Sequence, residues 1–316
     1  MASQQETVKR GTLILMLLLL AGLDLLVGSG FGLPSPVILW KLRFPRMLTA
    51  IIAGSSLALA GVQMQALFRN PLADPHIMGV SGGAGLGAAI AALTLGSASA
   101  ALTGFGLAGA AFLGAVLGGA IIVAVSARVK STGTLLLCGV MLGFVFSALS
   151  SVLQYSAGEE SLKLFYSWLS GSFSAVPYSG LAIMGGALLV GFSLSASCRR
   201  GLDTVLFGDD FAAFSGASVH RIRLATMLGC ALMTGAVTAF CGPVGFVGIV
   251  APHVARRVLG TSAHRQVIPG AMLCGSCLAL CGDILSHAGP TPLPVGSTLA
   301  IIGIPLILVL LWRSRL

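Results

Sequence analysis

Residues 43–87 read RFPRMLTAIIAGSSLALAGVQMQALFRNPLADPHIMGVSGGAGLG, and this stretch decides the fold. Its apolar run, residues 47–67, matches the roughly 20 residues that a helix needs to cross the hydrocarbon layer of a membrane. Pro71 lacks an amide donor and disfavours helical backbone at Asn70, so the helix must stop there. The sequence predicts a membrane helix that ends where Arg69 reaches lipid phosphate or water, followed by a glycine-rich segment that re-enters the membrane.

The composition excludes an ordinary soluble protein. Of 316 residues, 56% are hydrophobic and only 9% are charged, too few to cover a globular surface. The first apolar run, residues 11–27, follows Lys9 and Arg10 as a signal peptide would. It has no convincing small-residue cleavage site and many spans follow it, so we expect a retained helix.

Ten apolar segments are predicted to be membrane helices. They are residues 11–27, 47–68, 77–95, 105–126, 134–155, 178–197, 222–241, 252–260, 267–287 and 296–312. The segment that starts at residue 252 is too short to cross alone. An even number of segments places both termini on one side of the membrane, and the basic residues indicate which side.

Lysine and arginine are distributed unevenly between the two sides that this topology defines. The side that holds the termini would carry Lys9, Arg10, Arg69, Arg128, Lys130, Arg199, Arg200, Arg221, Arg223, Arg256, Arg257, Arg265, Arg313 and Arg315, and the other side Lys41, Arg43, Arg46 and Lys163. Basic loops stay in the cytoplasm, so both termini are predicted to be cytoplasmic. The net charge of +9 then reflects topology. A nucleic-acid partner is not expected, because no basic residues cluster beside aromatics on a soluble face.

Two stretches echo each other. Residues 43–76 and 221–253 both run from a basic rim through a span to a Pro-His pair, in opposite directions. This pattern is typical of inverted repeats, here with halves at about 43–155 and 221–312, although chance similarity between apolar sequences is the alternative. We expect Pro75 and Pro252 at helix N-termini.

The order of these features resembles the signature of the FecCD family of permeases, the membrane subunits of ATP-driven importers for iron-siderophore, haem and cobalamin complexes. The matching residues are Arg43, Pro45, Arg46, Gly54, Leu57, Ala58, Gly61, Gln65, Arg69, Asn70, Pro71, Leu72, Ala73, Pro75, Gly79, Gly82 and Ala84. Residues 131–139, 208–216, 242–256 and Asp283 fit the same family. The resemblance implies an all-α integral membrane protein of about ten spans with the type II ABC importer permease fold, forming one permease domain over residues 1–316.

The resemblance also implies partners and a function. A homodimer in a bacterial inner membrane would bind two copies of a cytoplasmic ABC ATPase and one periplasmic or extracellular binding protein, and would pass an iron chelate (siderophore or haem) or, alternatively, cobalamin. The chain has no GxxxxGK[ST] phosphate loop, so ATP hydrolysis falls to a separate subunit, and the chain itself is not expected to be an enzyme or to hold a cofactor. An ion-coupled carrier and a channel remain alternatives, yet Asp24 and Asp283 are the only acids expected within spans.

Arg43 and Arg46 lie on the side that positive charge avoids, which an acidic partner or lipid headgroups would explain. The resemblance makes them docking residues for glutamates of the binding protein. A third basic residue usually follows the acid at Asp283 by four positions, and here it is His287, which would weaken docking or make it depend on pH. Asp283 is expected to pair with a neighbouring amide or base, and Asp24 to be capped or to snorkel.

The loop 203–219 is predicted to form a surface helix, since apolar and polar residues alternate at helical spacing. The resemblance assigns ATPase coupling to Gly208, Asp209, Ala213 and Gly216, and a cytoplasmic gate to Asn70, Leu72 and Thr132.

Three cysteines, Cys274, Cys277 and Cys281, share one helix face. No fourth ligand is near in sequence, so we expect packing and no metal site. Gln63, Met64 and Gln65 either line or fill a pore, and small-residue pairs such as Gly114 and Gly118 predict close helix packing.

Overall fold

The computed structural model describes residues 2–28, 35–94, 105–129, 131–289 and 291–313, and most of them are helical. The helices are α1 (Ala2–Leu26), α2 (Pro36–Ile38), α3 (Phe44–Phe68), α4 (Val80–Ala89), α5 (Phe105–Arg128), α6 (Thr132–Tyr155), α7 (Glu159–Ser170), α8 (Tyr178–Val205), α9 (Asp209–Phe214), α10 (Val219–Cys241), α11 (Val247–Leu259), α12 (His264–His287) and α13 (Val295–Arg313). A π-helical stretch, Leu39–Arg43, joins α2 to α3, and another, Ile90–Thr94, extends α4. A 3-10 helix, Pro75–Met78, precedes α4.

Each of the ten predicted segments overlaps one of these helices, which confirms the all-helical membrane fold. Within the described residues, six helices are long and apolar enough to cross a membrane. They are Pro36–Phe68, Gly106–Arg128, Thr132–Tyr155, Tyr178–Val205, Val219–Cys241 and His264–His287. Two shorter apolar helices, Val80–Leu93 and Val295–Val309, accompany them.

Helix α3 forms the centre of the bundle, in contact with α8, α10, α11 and α12. In the most apolar stretch of Pro36–Phe68, 83% of the residues are buried, against 22% in the corresponding stretch of α6, so α3 is central and α6 is peripheral. Glycines allow this packing. A Cβ added to Gly54 would lie 2.3 Å from the carbonyl oxygen of Gly275, and one added to Gly61 would lie 1.9 Å from that of Gly248. The backbones of α3, α11 and α12 are therefore in direct contact.

Helices α4 and α5 pack in the same way, which confirms the small-residue prediction. A Cβ on Gly114 would lie 2.1 Å from the oxygen of Gly83, and one on Gly118 would lie 2.9 Å from that of Gly79. Cys274 and Cys277 are buried in the core, where they fill space between helices.

The prediction for Pro75 is confirmed and that for Pro252 is wrong. Pro75 is the first residue of its 3-10 helix. Pro252, in contrast, lies inside α11, which starts at Val247 because the Phe246 carbonyl already accepts the amides of Ile249 and Val250 at 3.1 and 2.9 Å. A proline inside a helix leaves the carbonyl four residues earlier without its usual partner. That carbonyl belongs to Gly248, and a side-chain amide replaces the missing donor, as described below. The non-helical backbone between α10 and α11 therefore spans only residues 242–246.

The surface helix predicted for residues 203–219 is wrong in extent. Helix α8 continues to Val205, and only Asp209–Phe214 forms the separate helix α9. The boundaries are set by two glycines with left-handed backbone, Gly208 at φ 118° and Gly216 at φ 79°, a conformation that other residues rarely adopt.

We name the two ends of the bundle after the ends of α3. At the Arg43 end, α1 finishes, α12 finishes, and the Tyr178 hydroxyl of α8 donates to the Trp40 carbonyl at 2.6 Å. At the Arg69 end, Arg69 has left-handed backbone (φ 49°) and lies next to Gly208. The start of α1 lies beside the end of α11, because Lys9 Nζ donates to the Leu259 carbonyl at 3.4 Å.

Candidate functional site

Two interruptions of the helical backbone, residues 69–74 after α3 and residues 242–246 after α10, meet inside the bundle through His76, and we call them the first and the second break. Its Nε2 lies 2.7 Å from the carbonyl oxygen of Val244, which can only accept, so Nε2 carries the proton. Nδ1 bonds to the Ser81 hydroxyl, and Asp74 Oδ1 accepts the backbone amide of His76 at 2.8 Å. The 3-10 helix after α3 is thereby attached to the non-helical backbone after α10.

The N-terminus of α11 is wedged between the same elements. A Cβ on Gly248 would lie 2.7 Å from the Pro75 ring, and Gly248 itself closes on Gly61 of α3. Gly61 is eight residues from Arg69, or about 12 Å along the helix axis. The breaks therefore meet well inside the bundle, where irregular backbone must be buried in protein or face a water-filled cavity.

Gln65 fixes this junction. Its amide nitrogen lies 3.4 Å from the Gly248 oxygen, the carbonyl freed by Pro252, and 3.3 Å from the Ile249 oxygen, while its Oε1 accepts from Arg256 at 2.8 Å. Gln63 and Met64 are also buried, and Gln63 Oε1 lies 2.9 Å from the Cys230 thiol. The open question about residues 63–65 is settled for this conformation: they fill the core and do not line a pore.

Beside the junction lies a cavity of about 670 Å³, which we call the groove. Its walls come from the first break and the start of α4, from the second break, and from the middle of α6. They comprise Asp74, His76, Ile77, Ser81, Gly82, Gly139, Val140, Gly143, Phe144, Ser147, Pro243, Gly245, Phe246 and Ile249. Apart from one carboxylate, one imidazole and two hydroxyls, the lining side chains are apolar or absent. Such a lining offers few polar or charged groups that could bind a solute tightly.

The strain in the second break is concentrated at Phe246. Phe246 has a positive φ of 69°, which only one other non-glycine residue in the described part of the chain shares. It also lines the groove. Backbone in such sparsely populated regions costs of order 1–3 kcal/mol and occurs mainly at functional sites. Sequence reasoning missed Phe246, because nothing in its residue type indicates left-handed backbone.

The residues predicted to form a gate lie at the Arg69 end. Asn70 Oδ1 accepts the backbone amide of Leu72 at 2.9 Å, so the Asn70 side chain closes a local turn. Leu72 is 43% exposed. Thr132 is the first residue of α6, after the cap formed by Ser131. These contacts describe a local turn and a helix start, and the gate stays a prediction.

A buried ion cluster occupies the Arg43 end. Arg46 Nε lies 2.8 Å from Asp283 Oδ2, and its terminal nitrogen lies 3.5 Å from Asp24 Oδ1. The same nitrogen donates to the carbonyls of Asp24 and Val27, each at 2.9 Å. Both carboxylates have 0% exposure. The prediction that Asp283 pairs with a base is confirmed, and the snorkelling expected of Asp24 is wrong, because the end of α1 packs against α12 and Arg46.

This cluster bears on the predicted docking residues. In this conformation Arg46 is only 5% exposed and its guanidinium already contacts its own chain. Arg43 is half-buried and donates to the Leu25 carbonyl at 2.8 Å. His287 uses Nδ1 toward the Asp283 carbonyl at 3.0 Å and Nε2 toward the Ser174 hydroxyl at 3.1 Å. Docking through these residues stays a prediction, and for Arg46 it requires the cluster to open.

Around the predicted coupling residues the structure shows an exposed aromatic surface. Asp209 begins α9 and Ala213 is exposed near its end. Phe207, Phe211 and Phe214 are 76%, 51% and 93% exposed. Sequence reasoning missed these phenylalanines, although their spacing of four and three residues places them on one helix face.

Comparison with known proteins decides the family. The model of the FecCD transport family matches residues 15–313. The chain belongs to the FecCD transport family. A vitamin B12 import system permease, BtuC of Citrobacter koseri, is 34% identical over 291 residues, which cover 91% of this chain and 87% of the relative. The hemin transport system permease HmuU of Yersinia pestis is 34% identical over 278 residues, covering 87% and 83% of the two chains.

Solved structures agree. A metal-chelate type ABC transporter in an inward-facing conformation superposes with a TM-score of 0.87 at 30% identity, over 98% of this chain and 99% of that one. PsaBC from Streptococcus pneumoniae shares the fold with a TM-score of 0.56 at 17% identity, over 86% and 92% of the two chains. This FecCD protein is therefore a multi-pass permease subunit of an ABC importer with the type II permease fold, and it is not itself an enzyme.

Proposed function

We propose that this permease passes an iron chelate, a siderophore complex or haem, from a binding protein into the cytoplasm. The groove supports the proposal most directly: it is large, mostly apolar and located where the two chain breaks meet. A hemin permease and a metal-chelate type transporter are among the proteins that the chain resembles.

Cobalamin is the second candidate substrate. BtuC proteins of Citrobacter koseri and Halobacterium salinarum, both named for vitamin B12 or cobalamin import, are each 34% identical to this chain. Cobalamin is also a bulky metal chelate, so the same groove suits it.

The path would be completed by a second copy of the chain. Helix α6 presents an exposed apolar stripe at helical spacing, Leu137, Met141, Phe144, Val145 and Val152, with exposures between 47% and 70%. Phe144 is part of both this stripe and the wall of the groove. A partner copy packed along the stripe would close two grooves into one path between the subunits. Asn70, Leu72 and Thr132 would form its cytoplasmic gate.

The two ends of the bundle would carry different partners. With the Arg69 end in the cytoplasm, as the basic residues favour, both termini lie inside. The two ATPase copies would then contact residues 203–219 through Gly208, Asp209, Ala213 and Gly216. Arg43, Arg46 and His287 would face the binding protein at the opposite end.

Uptake into sealed vesicles tests the proposal. The permease is reconstituted with its ATPase, and its binding protein is loaded in turn with a ferric siderophore, haem or cobalamin. We expect ATP-dependent accumulation of an iron chelate. Accumulation of cobalamin alone would select the second candidate. Uptake driven by an ion gradient without ATP would indicate a secondary carrier, and downhill flux through the permease alone would indicate a channel; either result would refute the proposal.

A further inference from the structure

Arg223 connects three elements at the Arg69 end. It is the fifth residue of α10 and is 7% exposed. One terminal nitrogen lies 3.2 Å from Asp209 Oδ2, at the start of α9. The other donates to the backbone carbonyl of Val129 at 2.8 Å, just after the end of α5. Val129 is three residues before Thr132, the first residue of α6.

The chemistry of arginine suits a rigid link. The guanidinium is planar and holds its donors in a fixed fork, so one end cannot move far without the other. Carbonyls at the C-terminus of a helix lack amide partners within the helix, and a cation there is favourable. Because Arg223 is almost buried, solvent screens these contacts less than it would screen a surface ion pair.

We propose that Arg223 is a positioning residue that transmits displacement of α9 to the first turn of α6. The inference rests on the proposed role of α9 as the surface that the ATPase contacts. Helix α6 supplies one wall of the groove through Gly139, Val140 and Phe144. A displacement that travels from α9 through Arg223 to α6 would therefore reach this wall of the groove.

The alternative is that Arg223 serves only to orient the protein in the membrane, as the other basic residues at this end do. Arg221 provides the matched control. It has the same charge, lies two residues earlier in the same turn of α10, and is exposed. Charge bias and membrane insertion should depend on both arginines equally, whereas the link to Asp209 and Val129 depends on Arg223.

Hydrogen–deuterium exchange on the full-length permease in detergent tests the link. Losing one charge-assisted hydrogen bond should speed local exchange at least about tenfold. Asp209→Asn should do so in residues 209–214 only. Arg223→Gln should do so in residues 209–214 and also in residues 131–135. Arg221→Gln should leave both regions unchanged. Arg223→Gln that matches Arg221→Gln in both regions would overturn the proposal.

The complex with the ATPase and the binding protein tests the consequence for transport. Arg223→Gln should retain wild-type yield, ATPase association and ATP hydrolysis, yet transport about tenfold less solute per ATP than Arg221→Gln does. Arg223→Lys keeps the charge but not the fork, so its transport per ATP should also fall. Equal transport per ATP in all three variants would overturn the proposal. Absence of ATP-dependent uptake in the wild-type complex would instead refute the proposed function. The hydrogen–deuterium exchange experiment would still test the link from Arg223 to α9 and α6.

Discussion

Replacing Gly61 by alanine should destabilise the permease strongly. The new Cβ would lie 1.9 Å from the Gly248 oxygen, whereas ordinary contacts are 3.4–4 Å, so α3 and α11 must separate by about 1.5 Å. Overpacking costs typically about 1–3 kcal/mol, and here the upper value applies because backbone, which has no alternative rotamer, is the obstacle. Separation also weakens the Gln65 hydrogen bonds to Gly248 and Ile249, worth about 0.5–1.5 kcal/mol each. Alanine regains up to about 1 kcal/mol of helix propensity, which leaves a net loss of roughly 3 kcal/mol.

Thermal unfolding in detergent, followed by size-exclusion chromatography, measures this loss. At about 2 °C per kcal/mol, Tm should fall by about 6 °C. Gly186→Ala is the matched control, because Gly186 lies inside α8 and an added Cβ meets no atom within 4 Å. The control should keep or slightly raise Tm. If Gly61→Ala unfolds at the same temperature as Gly186→Ala, the backbone contact between α3 and α11 does not exist as described.

Four further results are expected. Cysteines placed at position 70 or 72, in a background without the seven native cysteines, should crosslink between the two copies in the closed state and block transport. Crosslinking only elsewhere on the dimer interface would show that the break at Asn70 is only a local turn. Arg43→Glu should abolish pull-down by the binding protein without loss of membrane yield, and wild-type pull-down would refute that role. Arg46→Glu, in contrast, adds a third carboxylate to a buried cluster, and breaking such a pair costs about 3–5 kcal/mol, so its yield should fall. Gly216→Phe should leave ATP hydrolysis intact and uncouple it from transport. Position 216 has a φ of 79°, which disfavours a side chain, and the bulky phenyl ring would obstruct docking of the ATPase. Normal transport in this variant would refute the coupling role of Gly216.

Features that depend on local sequence could be predicted. Hydrophobic length gives the helices, because every backbone polar group in the hydrocarbon must be satisfied within its own segment. The break after Arg69 follows from Pro71 alone. The pairing of Asp283 with a base was also predictable, since an acid within a span needs a partner.

Features that depend on contacts between distant residues could not be predicted. Pro252 would normally mark a helix start, but Gln65, almost two hundred residues away, lies beside the carbonyl that Pro252 leaves free and allows the helix to begin earlier. Arg46 resembles an outward-facing base until Asp24 and Asp283 are placed beside it. In each case the partner residues can be read in the sequence. The packing of α1 and α11 that brings them together cannot.

The distribution of packing also indicates which part of the permease can move. Helix α3 cannot shift against α11 or α12 without breaking backbone contacts at Gly61 and Gly54, and 83% of the residues in its most apolar stretch are buried. In the corresponding stretch of α6, which lines the groove, only 22% of the residues are buried. Well-packed cores resist continuous deformation, so rearrangement falls on the elements that share the fewest contacts with them. We therefore expect the path to open by movement of α6 against a fixed centre, which is the movement that a link from α9 through Arg223 would drive.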